Sequence, residues 1–225
     1  MGDSFVSFVN GDVTPLIQLI ENFLESRPVR SIETASGSIL QTIVELIWAE
    51  DDRCTPELCL VTDPERHHGD GRLGFVDLFI TGSVGQSVPV IKFKNVTLLG
   101  FWKGMKGSME PTLQNLESLC NDLHGEEEVG LMRRNYFYWE ESSQSWRTST
   151  VQKLKDAGLE QLKKCLRVVR QGIVRSGSAG ILDRRIRCVE GDSRLDRYVV
   201  MCIGGTRVFS WKAETVQTKW IYRGA

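Results

Sequence analysis

Apolar residues recur at two different periods along this chain, and the switches between them divide it into helical and extended stretches. After Thr14-Pro15, Leu16, Ile17, Ile20, Phe23 and Leu24 follow at helical spacing until Arg27-Pro28. Thr14 reads as an N-cap, Pro15 suits the first helical turn, and Pro28 ends the run. A second amphipathic helix is expected from about Ile32 to Glu50, with Ile39, Leu40, Ile43, Leu46 and Ile47 as its apolar stripe. The pattern then turns extended, with strands expected over Glu57 to Thr62, Leu73 to Thr81 and Val88 to Val96. Leu98 to Ser108 is ambiguous between a short helix and a loop, and Glu110 to His124 reads as a helix with Leu113, Leu116 and Leu119 spaced by three. Glu126 to Glu128 is a solvated loop or a helix start, and Asn135 to Trp139 an edge strand or packing segment before a polar turn. The longest helix is expected over Val151 to Arg170, with Leu154, Leu159, Leu162, Leu166 and Val169 inward and Gly172 as C-cap. Short strands close the chain at Ile186 to Val189, Arg197 to Ile203, Val208 to Lys212 and Trp220 to Tyr222, with Gly204-Gly205 as a two-residue hairpin turn. This order fits an α/β sandwich with a mixed central sheet flanked by helices.

Composition narrows the class without naming a function. A chain of 225 residues, 41% hydrophobic and 25% charged, has the makeup of a globular domain with one main core. Its net charge of −1 supplies no global field toward nucleic acid or anionic lipid, so any such binding must be local. No apolar stretch approaches the roughly 20 residues a membrane helix requires, and the N-terminus lacks a basic segment before an apolar run. The expected location is intracellular, in nucleus or cytoplasm. The cysteines at 54, 59, 120, 165, 188 and 202 lack a repeated spacing and read as free, mostly buried thiols.

Three charged residues stand out because their flanks are apolar. Asp77 lies within Phe75-Val76-Asp77-Leu78-Phe79-Ile80, and Lys92 and Lys94 lie within Val90-Ile91-Lys92-Phe93-Lys94. A buried strand seldom carries charge unless the charge is paired. Side chains alternate along a strand, so Lys92 and Lys94 leave on one side, and Asp77 meets them if the strands pair. Alternating charge on a half-exposed edge strand is the competing explanation. Downstream, one helix carries Lys163, Lys164, Arg167 and Arg170, of which Lys163, Arg167 and Arg170 share a face that could track phosphates, although most basic helix faces are only solvated. Trp102, Tyr136, Tyr138, Trp139 and Trp146 could stack on unpaired bases, although such aromatics more often fill a core.

The layout resembles the PD-(D/E)XK nuclease superfamily, in which an Asp on one strand and a Glu-x-Lys on the next hold a divalent metal beside the scissile phosphate. Asp77 matches the Asp and Lys94 the Lys. Glu57 to Pro64, Gly71 to Asp77 and Ile91 to Val96 match in order, Gly158 to Cys165 resembles the downstream Gln-x-x-x-Tyr helix with Gln161 in place, and Tyr198 to Arg207 is similar to the closing hairpin of fungal nuclease-like proteins. The resemblance implies a restriction-endonuclease-like α/β sandwich over residues 31–225, preceded by a helical extension over residues 1–30. It departs from the family at two places: Lys92 replaces the metal-binding Glu, and Cys165 replaces the Tyr.

The resemblance further implies Asp77 as a metal ligand and Lys94 as electrostatic support, with Mg²⁺ or Mn²⁺ as cofactor in an intact site. Lys92 places an ammonium where an anionic oxygen is needed, so a two-carboxylate site cannot form, and pairing of Lys92 with Asp77 is expected. Glu45 is the first choice for a compensating acid, with Glu33, Glu50 and Glu57 as alternatives. Two functions follow as expectations: a metal-dependent DNA nuclease weakened or silenced at Lys92, or an inactive nuclease-like module that binds DNA, RNA or a protein partner. A homodimer is compatible with either.

Overall fold

The computed structural model describes residues 2–26, 39–48, 53–66, 72–82, 87–102, 110–140 and 142–225. At the centre is a mixed six-stranded sheet in the order β6-β1-β2-β3-β7-β8, formed by β1 (Cys54–Val61), β2 (Leu73–Ile80), β3 (Ser87–Val96), β6 (Gly180–Ile181), β7 (Ile186–Ile203) and β8 (Arg207–Gly224). Neighbours are antiparallel except β3 and β7, which run parallel from Ser87↔Arg194 to Val96↔Ile203. Leu195 to Ile203 is buried at every position, as expected of a central strand covered on both faces.

One face carries α1 (Gly2–Val9), α2 (Thr14–Glu25) and α3 (Ile39–Ile47). Phe5, Phe8, Leu16, Ile20, Leu24, Leu40 and Ile43 share a buried cluster with Leu78, Ile80, Ile91, Phe93, Tyr198 and Val200 of the sheet. The N-terminal helices therefore pack into the core of the sheet. On the other face α6 (Val151–Val169) sets Leu162, Leu166 and Val169 against Phe79, Val90, Leu195 and Val199. The Tyr222 hydroxyl donates to the Val169 carbonyl at 3.0 Å, fastening the end of β8 to the end of this helix. A third cluster, from α4 (Leu113–Gly125) and α5 (Glu128–Arg133), covers the ends of β3 and β7 through Leu116, Leu123, Leu131 and Met132.

Several elements differ from the sequence reading. Thr14 begins α2, Val13 is its N-cap, and the Thr14 amide is instead taken up by the Asp12 carboxylate at 3.0 Å. Helix α1 was not anticipated, and residues 32–38 and 49–50 of the second expected helix lie outside those described. Asn135–Glu140 (β4) pairs with an unanticipated β5 (Ser145–Thr150) in a separate two-stranded sheet. The four short closing strands are two continuous 18-residue strands, β7 and β8, whose pairing shifts between Glu190 and Ser193 and between Leu195 and Arg197. Polar Glu190-Gly191-Asp192 looks like a turn in sequence but forms such an irregularity, which bends a strand without ending it. The hairpin joining them spans Gly204, Gly205 and Thr206, one residue more than expected, and both glycines have positive φ of 62° and 73°. No helix among the described residues is long and apolar enough to cross a membrane.

Candidate functional site

Strands β2 and β3 pair at only two positions, Leu78↔Ile91 and Phe79↔Val90. One step further in this register Asp77 stands opposite Lys92, and there the aspartate side chain takes over from the backbone ladder. Its Oδ2 accepts from the Phe93 amide at 2.6 Å and its Oδ1 from the Lys92 ammonium. The ion pair expected from the alternation is thus present. With side chains only 16% (Asp77) and 20% (Lys92) exposed, the two charges are largely withdrawn from water. Each is therefore costly to leave without the other.

Lys94 leaves β3 on the same side, under α6. Its Nζ donates to the Gln161 Oε1 at 2.7 Å. The close approach depends on Gly158: a methyl group built there would meet the Lys94 Cε at 3.4 Å and the Val199 Cγ1 at 3.3 Å. Burial and the neighbouring Lys92 ammonium push the Lys94 amine below its usual pKa, against a smaller opposing pull from Asp77. One turn along α6, Cys165 places its thiol 3.7 Å from the Phe75 carbonyl. Burial raises its pKa, Lys92 partly offsets that, and Asp77 adds to it, so this thiol is poorly disposed to ionise.

The structure therefore gathers Asp77, Lys92, Lys94, Gln161 and Cys165 between β2, β3 and α6. Glu45 does not join them. It sits on α3, which packs on the opposite face of the sheet, and accepts from Gln41 Nε2 at 2.8 Å. Arg185 is held in its charged form chiefly by Asp183, with smaller contributions from Glu57 and Glu45. The physical reason for the misplacement is that a helix's apolar stripe shows that it packs on a sheet but not on which face. Glu57 interrupts the β1–β2 ladder between Pro56↔Leu78 and Leu58↔Val76, with a positive φ of 50°, and its side chain is exposed. Glu33 and Glu50 lie outside the described residues.

Lys163, Lys164, Arg167 and Arg170 are all exposed. At about 100° of rotation per residue, only Lys164 lies on the Gln161 side of α6, whereas Lys163, Arg167 and Arg170 lie on the opposite flank of the helix. Lys163 is already 3.5 Å from Glu160. The aromatic candidates lie apart from the cluster: Tyr136 packs edge-on against Phe101, while Trp139 and Trp146 form an exposed cross-strand pair with ring centres 5.6 Å apart on the β4–β5 hairpin.

The Mg²⁺ or Mn²⁺ expected of an intact nuclease centre does not fit this donor set. Hard cations require several anionic or carbonyl oxygens, whereas both Asp77 oxygens already accept from donors, one of them cationic. Among the described residues no three His, Cys, Asp or Glu side chains are grouped to hold a metal. Gly158 is the feature of this site whose role was missed from the residues alone. A glycine inside a strong helical pattern costs about 1 kcal/mol relative to alanine, and that penalty signals a close contact.

No family model, curated protein or solved structure matches this chain.

Proposed function

We propose that this chain is a metal-free derivative of the PD-(D/E)XK nuclease fold that binds a phosphodiester strand without cutting it. The observation that carries this reading is the Lys92–Asp77 ion pair, in which an ammonium takes the place beside Asp77 that a divalent cation has in an active nuclease. Substituting Lys for Glu changes the local charge by two units. The repulsion of an entering cation is then several kcal/mol at intermediate dielectric. What remains suits anion recognition: Lys94 beside α6, Lys164 on the Gln161 side of the helix, and Arg167 and Arg170 exposed on its opposite flank.

Binding through such groups is electrostatic and independent of sequence, and it weakens steeply with salt. With about four phosphate contacts, raising salt about fourfold lowers affinity roughly 100-fold. The test is a gel-shift titration of single- and double-stranded DNA and RNA at two salt concentrations, with a plasmid-nicking assay in Mg²⁺ and Mn²⁺ beside it. Salt-sensitive binding without nicking is the expected result, and K164E should weaken it. Nicking by this chain that disappears in D77N would restore the metal-dependent nuclease, and absence of binding at low salt would remove the nucleic-acid reading.

A further inference from the structure

Lys94 has surroundings that ion pairing does not explain. Among the described residues its ammonium has one hydrogen-bond acceptor, the neutral Gln161 amide at 2.7 Å, while the carboxylate that could have neutralised it is bonded to Lys92 and the Phe93 amide. The stem of Lys94 runs beneath Gly158 and close to Val199, so helix and sheet partly shield it from water. Its closest charged companion on β3 is a second ammonium, two residues away on the same face. A desolvated amine beside another cation, hydrogen-bonded only to an uncharged acceptor, gives up its proton more readily than a surface lysine and is then a nucleophile. The residue is only partly buried, so a small reagent can reach it.

We propose that Lys94 is a reactive amine that condenses with an aldehyde, carried either by a small free molecule or by the ring-opened sugar at an abasic position of a nucleic-acid strand. The lone pair of the neutral Nζ forms a bond to the carbonyl carbon as the C=O π electrons move to oxygen. The oxygen gains a proton and the nitrogen loses one, which gives a carbinolamine. Loss of the hydroxyl with a second proton releases water, and the second nitrogen hydrogen departs as the C=N bond forms. No net oxidation occurs, and the products are one imine and one water. The abasic source rests on the nucleic-acid reading above, whereas the free aldehyde does not.

The experiment incubates the full chain with glycolaldehyde and sodium cyanoborohydride, which traps the imine as a secondary amine, and maps labelled lysines over time by peptide mass spectrometry. Lys163, an exposed lysine of the same molecule, is the internal standard. Lys94 is expected to label severalfold faster than Lys163, because burial and the Lys92 ammonium leave more of its amine neutral. Q161E, which sets a carboxylate against the ammonium, should slow labelling of Lys94 several-fold without slowing Lys163. A parallel arm uses an oligonucleotide with one abasic position and borohydride. A covalent adduct at Lys94 there, absent with an intact oligonucleotide, would identify the strand as the source. Labelling by glycolaldehyde alone would identify a free aldehyde and count against the nucleic-acid reading only. Labelling of Lys94 no faster than Lys163 in wild type, with no oligonucleotide adduct, overturns the proposal.

Discussion

Two aspartate–lysine pairs occupy opposite faces of the same sheet, Asp77 with Lys92 under α6 and Asp196 with Lys212 under α1 and α2. At Asp196 each oxygen has its own partner, Lys212 Nζ at 3.1 Å and Thr215 Oγ1 at 2.7 Å, and the carboxylate is only 6% exposed. Burial opposes ionisation of Asp196, but the Thr215 hydroxyl, Lys212 and Ser87 together hold its pKa below the usual range. The neighbouring Tyr198 hydroxyl donates to the Gly11 carbonyl at 3.2 Å, and Ser87 donates to the Val9 carbonyl at 2.9 Å, so the network ends on the turn between α1 and α2. Every group there has a partner, and its product is an anchored turn. At Asp77 the carboxylate is satisfied as well, but a second ammonium, Lys94, stands beside the pair with, among the described residues, only an amide acceptor. A closed network fixes structure, whereas a surplus cation is a retained cost of the kind found at functional sites.

The largest effect that would separate the two pairs is expected from D77A. It leaves a largely buried Lys92 ammonium next to Lys94 without a counter-charge, costing about 3–5 kcal/mol in urea unfolding. Adding K92M should return at least about half of that loss, because removing both charges also removes the desolvation cost. D196A comes next, at about 2–3 kcal/mol, smaller because Lys212 is 44% exposed and can turn to water. Here the added K212M should return little, since Thr215 stays without its acceptor. Equal recovery in both double variants would erase the distinction.

The pairs also differ in their response to pH. Because the folded Asp196 has a lowered pKa, its contribution is complete above the unfolded value of about 3.9 and is lost as pH falls through the folded value. D196N should therefore flatten the acid limb of the stability curve. Lys94 has the opposite sense: its lowered folded pKa means that the protonated form is penalised at neutral pH and relieved as pH rises toward the unfolded value of about 10.4. K94M should raise Tm by about 2–4 °C at pH 7, and the gain should shrink in alkaline solution. Thermal melts at both pH values check this, and a K94M protein less stable than wild type at pH 7 would show that Lys94 is an ordinary structural lysine. The smallest effect belongs to G158A, where about 1 kcal/mol of helix propensity is opposed by the crowding against Val199 and Lys94, leaving a net change within about 1 kcal/mol.

What could be read from the residues divides along the same physical line. The Asp77–Lys92 pair was legible because a period of two in two neighbouring apolar strands fixes which side chains share a face. The strand over Arg197 to Ile203 was legible for a similar reason, although its central, doubly covered place in the sheet was not. Glu45 was misplaced because amphipathicity does not reveal which face of a sheet a helix covers. β5 was missed because Ser145 to Thr150 has a single large apolar residue, Trp146, and depends on β4 across the hairpin for its conformation. The Asp196 network was not seen at all. It joins residues from Gly11 to Thr215, and no local pattern records contacts over such separations.

Isothermal calorimetry of this chain with Mn²⁺, beside its K92E and D77N forms, tests most directly whether the Lys92 ammonium has displaced a metal from the Asp77 site. The account predicts no saturable binding by the wild-type chain up to millimolar Mn²⁺, and binding by K92E once two carboxylates face each other. Micromolar binding by the wild-type chain that vanishes in D77N would contradict it.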